Sequence, residues 1–180
     1  MLKESPAVDI RPLQADEPTL DALSELIVET VANGGSVSFL HPFAPEAARE
    51  FWSKSLAAAE RGERVVLGAF VGGELAGTVS LLLDCPPNQP HRAEIAKMMT
   101  RAALRGRGIG GRLLAEAERL AASAGRTLIN LDTASLEGAS GFYERNRYTY
   151  AGEIPDYALT PDGRLSGTRI YWKRVGAAAL

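Results

Sequence analysis

Residues 105 to 111 read Arg-Gly-Arg-Gly-Ile-Gly-Gly, and the run "RLLAEAERLAASAG" follows directly. Glycines at 106, 108, 110 and 111 let a backbone adopt positive φ and approach a ligand closely. A helix starting at this point turns its unpaired N–H groups and the positive end of its dipole toward the loop. Arg101, Arg105, Arg107 and Arg112 crowd the same stretch. Free amides and guanidinium groups at a helix N-terminus form an anion site, and a pyrophosphate is its natural guest. The stretch contains Gly106-x-Gly108-x-x-Gly111, the dinucleotide fingerprint, and Arg105-x-x-Gly108-x-Gly110, a different phosphate-cradling pattern. A Gly-rich turn with solvated arginines is the plainest alternative. A lone GxGxxG does not choose among them.

The elements around the loop narrow the choice. "VDIRPL" alternates as a short strand, and "DEPTLDALSELIVETVANGG" carries Leu20, Leu23, Leu26, Ile27 and Val31 at helical spacing. "APEAAREFWSKSLAAAERGE" is a second helix, with Phe51, Trp52 and Leu56 inward. "RVVLGAFVGGELAGTVSLLLD" is a hairpin around Gly72-Gly73. "CPPNQPH" is a loop, "RAEIAKMMT" a strand, and a third helix follows the glycines, with Leu113, Leu114, Ala117, Leu120 and Ala121 on one face. "RTLINLDT" is a strand, "EGASGFYERN" a short helix, and "RYTYAGEI" and "TRIYWKRV" are the closing strands. The order β-α-α-β-β-β-α-β-α-β-β predicts an α/β (α+β) domain with a mixed, mostly antiparallel sheet flanked by helices. A dinucleotide loop sits at the first βα turn, directly after its strand. Here "RAAL" intervenes, the strand is the fourth, and only 69 residues follow Gly111. Asp132, at the end of the next strand where a ribose-binding acid would lie, is all that favours that reading. No Lys-Ser/Thr follows the glycines, which disfavours a P-loop.

Composition removes other classes. A net charge of −2 with no basic block argues against nucleic acid. One cysteine, Cys85, allows no internal disulfide. No apolar run approaches a membrane span, and the N-terminus lacks a secretory pattern. The chain is therefore read as one cytoplasmic domain over residues 1–180, with 175–180 a tail. His41 and His91 stand apart, so no metal site is expected.

"MMTRAALRGRGIGGRLL" resembles the acetyl-CoA-binding motif of the GNAT N-acetyltransferase superfamily, and "LINLDT" with "GFYERN" extends the likeness over roughly residues 93 to 150. "ETVANGGSVSFL", "RAEIAKMM", "LDTASLEGASGFYERNRY", "TPDGRL" and "IYWK" together resemble the tabtoxin-resistance type of acetyltransferase, nearly end to end. The likeness implies the GNAT fold, acetyl-CoA as cosubstrate, a small-molecule acceptor such as a toxin or antibiotic-like compound, and a possible homodimer. It implies that Met98, Met99 and Thr100 lie on the strand that pairs with the pantetheine arm. Arg105, Gly106, Arg107, Gly108, Ile109, Gly110 and Gly111 would then wrap the pyrophosphate. Tyr143 aligns with a tyrosine that acts as general acid, and Glu94 and Asp132 align with acidic positions at the acceptor. Three positions depart from the family pattern: Leu136 replaces a common Asn, and Arg147-Tyr148 replaces Gly-Phe.

Acetyl transfer requires a base for the amine, donors for the developing oxyanion and a proton for the leaving thiolate. Glu94 and Asp132 are both candidates for the base. A period of two places Glu94 on one face with Ala96, Met98 and Thr100. Edge pairing of Glu94 with Arg92 or Lys97, and a turn or capping role for Asp132, are the structural alternatives. Tyr143 can hold a proton at neutral pH, or can serve as a core aromatic. Cys85 precedes Pro86-Pro87 with no visible base, so direct attack is favoured over an acyl-enzyme. The loops "GGSVSFLHPF" and "PDYALTPDGRL" are candidate acceptor walls, with His41, Tyr157 and Asp162 as candidate contacts. A non-catalytic acetyl-CoA sensor is the principal rival.

Overall fold

Local rules set most element boundaries in the computed structural model, which describes residues 7–136 and 139–176. The first strand, β1 (Val8–Pro12), leads into α1 (Glu17–Ala32). Asp16 caps α1 by accepting a hydrogen bond from the Thr19 N–H at 2.8 Å, and Pro18 occupies the first turn. The second helix is α2 (Pro45–Glu60). The strands β2 (Arg64–Val71) and β3 (Glu74–Leu82) form a hairpin on Gly72 and Gly73, both at positive φ. There follow β4 (Arg92–Thr100), a 3₁₀ turn (Ala102–Leu104), α3 (Ile109–Ser123), β5 (Leu128–Ala134), α4 (Ser140–Arg145), β6 (Thr149–Leu159) and β7 (Leu165–Arg174).

The strands make one seven-stranded sheet in the order β1-β2-β3-β4-β5-β7-β6. Among the described residues only β4 and β5 run parallel; every other neighbouring pair is antiparallel. The sheet is therefore the mixed, mostly antiparallel one expected. One face packs on α1 and α2 through Leu23, Leu26, Ile27, Trp52 and Leu56. The other packs on α3 through Leu81, Ile95, Leu113, Leu114, Ile129 and Leu131. Among the described residues no helix is long and apolar enough to cross a membrane.

The structure corrects several local expectations. The register slips between Thr78 and Ser80 of β3, and Lys97 takes φ 51° opposite the slip, so β4 carries a bulge. Ile95, before the bulge, packs on the α3 side, whereas Met99, beyond it, packs on the α1–α2 side. Glu94 and Thr100 thus do not share a face, because an extra residue reverses the alternation. "PDYAL", expected to be loop, belongs to β6, and the turn shrinks to Thr160–Arg164. Asp162 stabilises that turn by accepting from Thr160 and from Arg164 Nε. Val175, placed in the tail, donates its N–H to the Thr127 carbonyl at 3.0 Å; residues 177–180, like Glu137 and Gly138 of the expected short helix, lie outside the described residues.

The departure at Arg147 has a stability consequence. The N–H of Arg147 reaches the Glu144 carbonyl and that of Tyr148 reaches the Tyr143 carbonyl, a Schellman ending with Arg147 at φ 66°. The Tyr143 and Tyr148 rings, 5.9 Å apart, supply its apolar contact. A side chain in this conformation costs about 1 kcal/mol relative to glycine. Arg147→Gly is therefore expected to raise Tm by about 2–4 °C in a thermal melt; an unchanged or lower Tm would contradict this account.

Candidate active site

The single parallel pair is short. Its register covers Arg92↔Leu128, Ala93↔Ile129 and Glu94↔Asn130. Beyond that, β4 continues to Thr100 against β3, and β5 continues to Ala134 against β7. Among the described residues, the facing edges of residues 95–100 and 131–134 have no strand partner, so the sheet splits in its middle. The bulge at Lys97 bends β4 at this point. A split of this kind leaves backbone donors and acceptors available to an extended, amide-bearing ligand. Met98, Met99 and Thr100 lie along its β4 edge.

At the end of that edge the chain makes its 3₁₀ turn and enters the glycine loop. Gly106 and Gly108 adopt φ 76° and 77°, and Gly108 is the N-cap of α3. No side chain caps the helix. Among the described residues, the backbone N–H groups of residues 106 to 111 have no acceptor; the next hydrogen bond runs from the Arg112 N–H to the Gly108 carbonyl. A Cβ on Gly110 would lie 3.3 Å from the Phe142 ring, so this glycine lets α4 close on α3. Arg105, Arg107 and Arg112 are exposed, with no carboxylate within ion-pair distance among the described residues. Arg101 is committed elsewhere, in correction of the sequence reading. It pairs with Glu29 at 2.9 Å and Glu25 at 3.4 Å and donates to the Leu75 carbonyl. Glu29 also accepts the Ala102 N–H, so α1 fastens the start of the loop. The residues present fit a diphosphate: an unsatisfied amide nest, a helix N-terminus and unpaired cations. A dinucleotide fold does not fit, because the sheet is not doubly wound and the loop does not open its first βα turn.

The three acid–base candidates come from β4, β5 and α4. Tyr143 projects from α4 and is 6% exposed. Its ring packs edge-on against Phe142 at 5.1 Å and lies 6.0 Å from Tyr171. Burial, and secondarily the negative charge of Asp132, pushes its hydroxyl well above the usual tyrosine range, so it stays protonated at neutral pH. Glu94 and Asn130 both contact Arg92, at 3.3 Å and 2.5 Å from its Nη1. The expected pairing of Glu94 with Arg92 is thus present. Asp132 lies within β5 rather than ending it, is exposed, and accepts from Thr168 Oγ1 at 2.7 Å; it caps no helix. Burial of Ile129 and Leu131 on the α3 side places Asn130 and Asp132 on the opposite face, with Glu94.

Lys97, which sequence reasoning named only as an alternative partner for Glu94, belongs to the same neighbourhood. Its Nζ donates to Ser38 Oγ at 2.9 Å and lies 5.6 Å from the Phe39 ring and 5.6 Å from the Phe51 ring. The loop after α1 therefore does wall this side of the split. Its isolation as the one cation within "EIAKMMT" was the available signal. His41, by contrast, uses its backbone N–H on Pro161, and Tyr157 is exposed on β6.

A sheet opened between two parallel strands, with an amide nest at the end of one, is the frame of an acetyl-CoA-dependent N-acetyltransferase, and the family comparison places the chain in that class. The family profile described as "Acetyltransferase (GNAT) family" matches residues 28–147, and the chain belongs to that family. Solved structures agree in fold. An N-acetyltransferase from Staphylococcus aureus Mu50 superposes with TM-score 0.78 at 18% identity, covering 93% of this chain and 98% of that one. The ribosomal-protein-alanine N-acetyltransferase from Brucella melitensis gives 0.76 at 23% identity, over 93% and 99% of the two chains. The yncA protein of Salmonella typhimurium, solved with its cofactor acetyl-CoA, gives 0.76 at 18% identity over 97% of each.

Proposed function

We propose that the chain transfers the acetyl group of acetyl-CoA to the amine of a small molecule by direct attack in a ternary complex. The observation that carries this reading is the run of unsatisfied N–H groups over residues 106 to 111 at the mouth of the split. Arg105, Gly106, Arg107, Gly108, Ile109, Gly110 and Gly111 hold the diphosphate, and the Met98–Thr100 edge holds the pantetheine amides. Bound acetyl-CoA supplies the activated acetyl carbonyl. Glu94 or Asp132 accepts the amine proton, directly or through water, and Tyr143 Oη holds the proton that the departing thiolate needs. Cys85 supports direct attack over an acyl-enzyme, because its thiol is engaged with the Arg92 carbonyl at 3.2 Å. A toxin or antibiotic-like acceptor, of the tabtoxin-resistance kind, follows from the sequence resemblance. The exposure of Tyr150, Ile154, Tyr157, Leu159 and Leu165 on the β6–β7 hairpin favours the homodimer.

Two measurements test the reading. Acetyl-CoA should raise Tm and NAD should not. Thiol release should then follow addition of an acceptor from a screen of amines that includes polyamines and β-lactam amino acids. Binding without thiol release from any amine would favour the sensor alternative; stabilisation by NAD alone would refute the acetyltransferase reading.

A further inference from the structure

Lys97 is an oddity on several independent counts. It interrupts an apolar strand, adopts φ 51° without being glycine, and lies half-buried in the fold. Backbone in the left-handed region is unfavourable for a lysine, and such strain concentrates at functional sites. Its Nζ uses one of three donors on Ser38, while the Phe39 and Phe51 rings replace part of its hydration. Among the described residues no carboxylate lies within ion-pair distance of it. The carboxylates that share its field are committed elsewhere: Glu94 to Arg92 at 3.3 Å, and Asp132 to Thr168 at 2.7 Å. Burial, aided by the positive charge of Arg64 and opposed by Asp132 and Glu94, holds the ammonium below the ordinary lysine range. A cation in that condition gains most from an anion brought to it.

Resting on the acetyltransferase reading, we propose that Lys97 determines acceptor specificity by binding an anionic group of the amine, a carboxylate or phosphonate, beside Ser38 and Phe39. Glu94 and Asp132 face the amine end of the same molecule, so this group of charges is complementary to a zwitterion. An uncharged or purely cationic amine would leave Lys97 unmatched and add its own repulsion.

The test uses steady-state thiol release at saturating acetyl-CoA, with the common L-amino acids and their carboxamides as paired acceptors. In the wild type, replacing the carboxylate by the isosteric amide should raise KM about tenfold or more, the worth of one charge-assisted hydrogen bond. Lys97→Met should raise KM for the acids to the level of the amides and leave the amides within about twofold. Lys97→Arg should restore part of the preference, and an unchanged thermal shift with acetyl-CoA should show that both variants fold. Equal KM for acid and amide in the wild type would overturn the proposal. So would an equal fall in kcat for both acceptors in Lys97→Met, which would make Lys97 a base or a structural strut. If only uncharged or cationic amines are acetylated, the proposal fails and the acetyltransferase reading stands; if no amine of any class is acetylated, both fail.

Discussion

Tyr143→Phe is expected to lower kcat by about a hundredfold, the lower range for loss of a positioned proton donor, while acetyl-CoA affinity stays within about twofold. The substitution keeps the ring that packs against Phe142 and Tyr148 and removes only the hydroxyl. That hydroxyl stays protonated because burial, and then the nearby Asp132 carboxylate, both disfavour its ionised form. Both effects act in the same direction, so the proton is available throughout the neutral range. The discriminating measurement compares acceptors at fixed cosubstrate. A loss confined to kcat supports proton donation, whereas a loss confined to KM would mean that the hydroxyl binds the acceptor. Undiminished turnover in the variant would remove Tyr143 from the chemistry.

The second large effect is expected at Gly108. Its φ of 77° places it where a β-branched residue is a genuine outlier, and it is the N-cap from which α3 springs. No atom lies within 4 Å of a Cβ built there, so the constraint is conformational and not steric crowding. Gly108→Val would rotate the neighbouring amides away from a common focus. Losing one or two charge-assisted hydrogen bonds should weaken acetyl-CoA binding by about tenfold to several hundredfold. S-acetyl-N-acetylcysteamine, which lacks the diphosphate, supplies the control. Its turnover should be nearly the same in variant and wild type, and an equal loss with both thioesters would indicate general misfolding.

Much of this architecture is written locally. The hairpin at Gly72-Gly73, the apolar stripe of α3 and the limits of β4 at Arg92 and Thr100 follow from periodicity and turn chemistry. The glycine loop was equally legible, since the need for positive φ at 106 and 108 leaves a compositional trace. What was hidden depended on contacts between distant segments. Arg101 reads as one more loop cation until α1 brings Glu25 and Glu29 to it. Strict alternation along β4 predicts one face for Glu94 and Thr100, and a lysine in the left-handed region gives no warning of the bulge that separates them. The strand over Pro155–Leu159 was obscured because proline and aspartate read as turn formers, although a sheet edge tolerates them.

At the gap between β4 and β5 the two faces of the sheet differ in character. The α3 side carries the amide nest, while Glu94, Asp132 and Lys97 look toward the helices across from it. On the proposed reading, nucleotide and amine arrive through separate doors. Such a layout suits a ternary complex, for which initial-rate plots for the two reactants should intersect rather than run parallel.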